Sequence, residues 1–114
     1  CWYLAKRDAE PQAARVSTTD RLKDGLLVTS DVASFVTFRK RDAMEAWIQL
    51  QRAAKLTRTW GDGYGYLLVA TGRAEVNVDP VMNVWDAACV QPILEEAGGK
   101  FTDWQGASTV HSGA

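Results

Sequence analysis

Short apolar runs and stretches of helical period alternate along this chain, and that alternation limits its fold more than any other feature. Leu26-Leu27-Val28-Thr29 is a buried-strand candidate. Asp42 followed by Glu45 has the form of a capping box, and Ala43, Trp47, Leu50 and Ala54 then line one face of a helix running to about Lys55. Leu56 to Trp60 reads as a strand, Tyr64 to Thr71 as a helix ended by Gly72, and Ala74 to Asp79 as a strand with Ala74, Val76 and Val78 on one face. A helix carrying Asp86 follows, and Lys100 to Trp104 reads as a last strand before a small-residue tail. Near the start, Trp2 to Ala5 and a segment around Ala14-Arg15-Val16 flank a charged turn as a hairpin, and Ser17 to Asp20 marks a loop or a single helical turn. Helices between successive strands predict an α/β fold, with layered helices on a mixed β-sheet.

With 114 residues, 46% of them hydrophobic and 24% charged, the chain can build one core but not two. Thirteen basic residues against fourteen acidic ones leave a net charge of -1, which excludes the broad basic footprint needed to bind nucleic acid or an anionic membrane. The basic cluster Arg39-Lys40-Arg41 has no interleaved aromatics and reads as a solvated loop. No run approaches the roughly 18 apolar residues of a membrane span, and no signal peptide opens the chain. A cytoplasmic protein is expected. Cys1 and Cys89 are too few for a disulfide framework, and Cys89, inside a helix, reads as a buried free thiol. A Cys at position 1 is the mark of a sequence that begins partway along a longer chain.

The stretch Trp85-Asp86-Ala87-Ala88-Cys89-Val90-Gln91-Pro92-Ile93-Leu94-Glu95-Glu96-Ala97-Gly98-Gly99 places a carboxylate in the first turn of a helix, where unpaired N–H groups favour anions. Ala87, Val90, Leu94 and Ala97 recur at helical spacing, and Gly98 supplies a left-handed stop. By itself this is a well-capped amphipathic helix. Pro92 deletes a backbone hydrogen bond and predicts either a kink or a helix that begins a turn later than Asp86. Asp62 lies between Gly61 and Gly63 at a helix opening, where exposed backbone N–H groups let a ligand approach, and Asp79 ends a strand just before Pro80. On residue type alone, the better reading is a turn-forming Asp62 and a strand-ending Asp79. Glu95 and Glu96 read as surface residues, and His111 as a solvated tail residue without triad companions.

Taken with Gly61-Asp62-Gly63-Tyr64-Gly65-Tyr66-Leu67-Leu68-Val69-Ala70-Thr71-Gly72-Arg73-Ala74-Glu75, the Trp85–Gly99 stretch resembles the C-terminal half of the inositol monophosphatase superfamily, closest to its histidinol-phosphate phosphatase branch. The likeness runs from Trp2 to Trp104, with Gly63 standing where that branch often carries Cys. It implies a Mg²⁺-dependent phosphomonoester hydrolase acting on a small-molecule phosphate ester by metal-activated water. Asp86 would be the metal ligand, with Trp85 wedging it in place. Asp62, Asp79, Gly61 and Gly63 would bind the substrate, the two carboxylates facing a cationic amine and imidazole.

The remaining Mg²⁺ ligands of that family, a Glu and an Asp-Pro-(Ile/Leu)-Asp-Gly-Thr loop, come from an N-terminal half. Asp79-Pro80-Val81-Met82 is not that loop. The resemblance therefore implies an incomplete chain, in which residues 1–17 end an N-terminal sheet region as a short hairpin and 18–114 form the C-terminal α/β domain. Its expected partner is the missing half, in the same chain or a separate one, and a homodimer is plausible for the family. Histidinol phosphate is the expected substrate, inositol-1-phosphate or another sugar phosphate the alternative. A non-catalytic binding or assembly module is the rival from another class. Five tryptophans offer more apolar surface than so short a chain easily buries, so some are expected to face the missing half.

Overall fold

The computed structural model describes residues 1–39 and 41–111. The side chains of Arg41 and Asp42 also lie outside the described residues, and with them the basic cluster around Lys40 and the Asp42 capping box.

Strand β3 (Leu26–Thr29) is the centre of a three-stranded sheet ordered β4-β3-β5, in which β4 (Leu56–Thr59) and β5 (Val76–Asn77) both run parallel to it. Its run of apolar residues follows from burial on both faces. Leu27 packs toward α1 (Ser34–Thr37) and α2 (Arg41–Ala53), in a cluster with Phe35, Ala43 and Trp47. Val28 packs on the opposite side with Leu68 of α3 (Gly63–Ala70) and with Ala74. α4 (Val84–Glu96) lies against α3. The result is an α/β arrangement with helices layered on the sheet. Antiparallel pairing occurs in a separate hairpin, where Trp2–Tyr3 (β1) meets Gln12–Ala13 (β2).

Several boundaries differ from the sequence reading for identifiable reasons. The second hairpin strand falls earlier than Ala14-Arg15-Val16, because Val16 N–H turns away to donate to Ala97 O at 3.0 Å and ties this segment to the end of α4. A short 3-10 turn, Leu22–Asp24, precedes β3. α1 was not anticipated; Asp31 starts it by accepting from Ala33 N, Ser34 N and Ser34 Oγ, and the Ser34 hydroxyl foremost holds the Asp31 carboxyl below its ordinary range. β5 is shorter than Ala74 to Asp79 because Arg73 N and Ala74 N are still bonded to Leu68 O of α3.

α4 begins at Val84, before Asp86 rather than a turn after it, and runs unbroken through Pro92. Ala88 and Pro92 are both exposed, so the carbonyl that Pro92 leaves without a donor faces water. Lys100 to Trp104 is not a strand. Phe101 is buried with α4, and Asp103 Oδ1 instead accepts from Gln105 N and Ala107 N at 2.9 and 2.8 Å, closing a turn. Cys89 is exposed, not buried, since it lies about 200° round the helix from buried Ala87. His111 is exposed. Among the described residues no helix is long and apolar enough to cross a membrane.

The end of α4 is a left-handed stop. Gly98 has φ +89°, its N–H donates to Glu95 O, and Gly99 N–H reaches back to Leu94 O at 2.8 Å, satisfying carbonyls the helix would leave open. Gly98→Ala is expected to lower unfolding free energy by about 1–2 kcal/mol, the cost of a Cβ in this conformation. Trp47, fully buried and stacked on Phe35 at 5.1 Å, should cost more, about 3–5 kcal/mol on truncation to Ala. Urea denaturation of the two variants checks both the magnitudes and their order.

Candidate functional site

Parallel strands release their chain at one end of the sheet, and ligands of α/β folds gather there. In this protein that end carries Ser30 after β3, Trp60 after β4 and Asp79 after β5. Asp79 is the focus. Its Oδ1 accepts from Ser30 N at 2.8 Å and Ser30 Oγ at 2.7 Å, with Thr29 Oγ1 at 3.5 Å. Its Oδ2 accepts from the Tyr66 hydroxyl at 2.5 Å and from Asn77 Nδ2 at 3.2 Å. The Asp79 carbonyl takes the indole N–H of Trp104 at 3.2 Å. A carboxylate offers about four lone-pair sites, so donors of this chain already occupy those of Asp79.

Tyr66 is half-buried on α3, and its phenol pKa is pushed far above the ordinary tyrosine range. Burial is the largest cause, followed by the charge of Asp79 and its hydrogen bond; the charge of Asp86 adds to the same effect. Beside the Asp79 cluster, a cavity of about 500 Å³ is lined by Tyr66, Asn77, Met82, Phe101 and Trp104 among others; neither Asp62 nor Asp86 borders it.

Asp86 lies in the first turn of α4, exposed, with one oxygen 3.3 Å from Asn83 Nδ2. An open carboxylate is the hard oxygen donor that Mg²⁺ takes. Among the described residues, however, no three His, Cys, Asp or Glu side chains gather to hold an ion. Trp85 does not wedge Asp86: it is 73% exposed, because neighbouring helix positions diverge by about 100°.

Asp62 precedes α3 with φ 55° and ψ -144°, a backbone conformation that L residues rarely adopt, and its side chain makes no cap hydrogen bond. It is exposed, and a Cβ built on Gly61 or Gly63 would meet nothing within 4 Å. The helix entrance is open to a ligand. Asp62 and Asp79 are not joined directly, and the connection between their elements runs through Tyr66. Sequence reading missed Tyr66, Ser30 and Asn77. Period-two spacing could have found Asn77, since Glu75, Asn77 and Asp79 share the strand face opposite Val76 and Val78; nothing local marks Tyr66, whose partner is distant in the chain.

Because its folded-state pKa is raised, Tyr66 contributes stability that is complete below the ordinary tyrosine pKa of about 10 and is lost as pH climbs beyond it. Unfolding free energy should hold level from pH 7 to 9 with respect to this group and fall above 10. In Tyr66→Phe that alkaline fall should be shallower, as followed by urea denaturation across the pH series.

The inositol monophosphatase family model matches residues 4–113. A histidinol-phosphatase of Chlorobaculum parvum is 54% identical over 65 residues, covering 57% of this chain and 25% of that protein. One from Streptomyces coelicolor is 31% identical over 98 residues, covering 86% of this chain and 36% of its own length. Among solved structures, an inositol monophosphatase from Zymomonas mobilis superposes with a TM-score of 0.77 at 24% identity over 90% of this chain and 38% of that one, a likeness of fold. The chain spans about a fifth to two fifths of the length of the curated relatives it matches. A family match along nearly every residue, together with the shared fold, makes this chain a member of the inositol monophosphatase family.

Proposed function

We propose that this chain is the C-terminal part of a Mg²⁺-dependent phosphomonoesterase whose substrate is histidinol phosphate, acting in histidine biosynthesis in the cytoplasm. The observation that carries the reading is Asp79, fixed by Tyr66 and Ser30 at the C-terminal end of the parallel strands, in a chain that the inositol monophosphatase family model matches over residues 4–113 and that is 54% identical over 65 residues to a histidinol-phosphatase. Asp86 is assigned as one metal ligand, and the others must come from outside these residues, either from an N-terminal half of the same chain or from a separate one. Asp62 is assigned to the substrate's cationic amine or imidazole, with Gly61 and Gly63 leaving room for it. Asp79, its lone pairs already taken, acts on the same cation through its charge. A homodimer is part of the proposal.

A second reading, a binding or assembly module without catalysis, has one observation in its favour: among the described residues no cluster sufficient to hold a metal is present. Inositol-1-phosphate or another sugar phosphate remains the alternative substrate.

Phosphate release from histidinol phosphate and from inositol-1-phosphate, with and without Mg²⁺, separates these readings. We expect release by the protein of the full reading frame, faster with histidinol phosphate, and none by residues 1–114 alone. Asp86→Asn should reduce it by at least about 10-fold, on the scale of a disturbed metal shell. Absence of Mg²⁺-dependent release from the full-length protein would favour the module.

A further inference from the structure

The N-terminal half of α3 has little of its own to hold it. Asp62 caps it without a side-chain hydrogen bond, a Cβ added at Gly61 or Gly63 would meet nothing within 4 Å, and the exposed Tyr64 ring meets Trp60 edge to face at 5.9 Å. Its apolar anchors, Leu68 and Ala70, lie at the other end. Two contacts fix the first turn. At Gly65 the helix backbone comes so near β5 that a Cβ would stand 2.8 Å from Asn77 Oδ1, a buried oxygen without a hydrogen-bond partner. One residue on, the Tyr66 hydroxyl donates to Asp79 Oδ2. The opposite oxygen of Asp79 is pinned to the end of β3 by Ser30, so Tyr66 binds to a fixed point.

Asp62 immediately precedes α3, four residues before Tyr66, so its backbone is carried by the start of the helix that Tyr66 anchors. From this geometry we infer that Tyr66 is a specificity-determining positioning residue: by tying α3 to Asp79, it sets where Asp62 stands relative to Asp79. The inference rests on the reading of Asp62 and Asp79 as the groups that face a cationic phosphate ester. Tyr66 need not touch the substrate. Its hydroxyl and the missing Cβ of Gly65 together hold the two carboxylates at one separation, and that separation selects an ester with a cation at the matching distance from its phosphate. Loss of either contact lets α3 drift and carry Asp62 with it.

The experiment uses the full-reading-frame protein and the ratio of kcat/KM for histidinol phosphate to that for inositol-1-phosphate. Tyr66→Phe should lower the ratio about five- to tenfold, the scale of one lost hydrogen bond, chiefly by raising KM for histidinol phosphate. Asp62→Asn should lower it as well, and the double variant should lose little more than Asp62→Asn alone, since Tyr66 works through Asp62. Gly65→Ala, whose Cβ would stand 2.8 Å from Asn77 Oδ1 so that the Asn77 side chain or α3 must shift, should repeat the loss and the non-additivity, and it serves if Tyr66→Phe does not fold. Ser30→Ala, which removes the hydroxyl bond to Asp79 but keeps the Ser30 backbone N–H that holds the same oxygen, should shift the ratio less. An unchanged ratio in folded Tyr66→Phe, or strictly additive losses with Asp62→Asn, would overturn the inference while leaving the substrate reading intact. An unchanged ratio in Asp62→Asn would overturn the inference together with the assignment of Asp62 to the substrate's cation.

Discussion

The carboxylate of Asp79 is where the separate layers of this protein meet. Ser30 reaches it from the end of β3, Asn77 from β5 and Tyr66 from α3, and its own carbonyl takes the Trp104 indole from the segment after α4. Each bond joins a different element, so Asp79 fixes the sheet, the helix above it and the loop leading to Asp86 relative to one another. A half-buried carboxylate with so many donors is worth more as an organiser than as a free ligand. Removing it would leave Ser30, Asn77 and Tyr66 without their shared acceptor, and partner loss of that kind costs more than a single bond is worth.

Apolar packing builds the platform on which that cluster stands, in three groups rather than one. Phe35 stacks on Trp47 and meets Trp104 edge to face on one face of the sheet, Val28 and Leu68 meet on the other, and Ala14, Leu94 and Phe101 join the hairpin to α4. Trp47 and Trp104 serve these groups; Trp2 and Trp85, at 71% and 73% exposure, do not. The tryptophans thus divide between packing and surface. The small residues of α4, Ala87 and Ala97, let it approach its neighbours closely, and the Gly98-Gly99 ending returns the chain toward Val16.

Much of the fold was legible because local pattern and burial agree where a segment is buried on a defined face. Leu26–Thr29, the Ala43–Trp47 face and the Gly98 stop were all readable from spacing, and each lies where that spacing puts it. The misreadings share a cause. Lys100 to Trp104 alternates like a strand, yet the Asp103 side chain supplies a closer acceptor than any neighbouring strand does. Pro92 looked disruptive, and it is tolerated because its helix face meets water. Cys89 and Trp85 looked like packing residues, but rotation about the helix axis turns them outward.

The sequence by itself determined the succession of β3, α2, β4, α3, β5 and α4, the left-handed end of α4 and the family likeness, and it singled out Asp62, Asp79 and Asp86, because these rest on residue types at short spacing. Only the tertiary structure decided what surrounds each carboxylate. Asp79 became a saturated junction, Asp86 an open donor and Asp62 an exposed group on a strained turn. Those differences arise from partners 13 and 49 residues away in the chain, Tyr66 and Ser30, whose nearness to Asp79 is created by parallel strand pairing and by the packing of α3 on the sheet. Local sequence pattern carries no record of such distances.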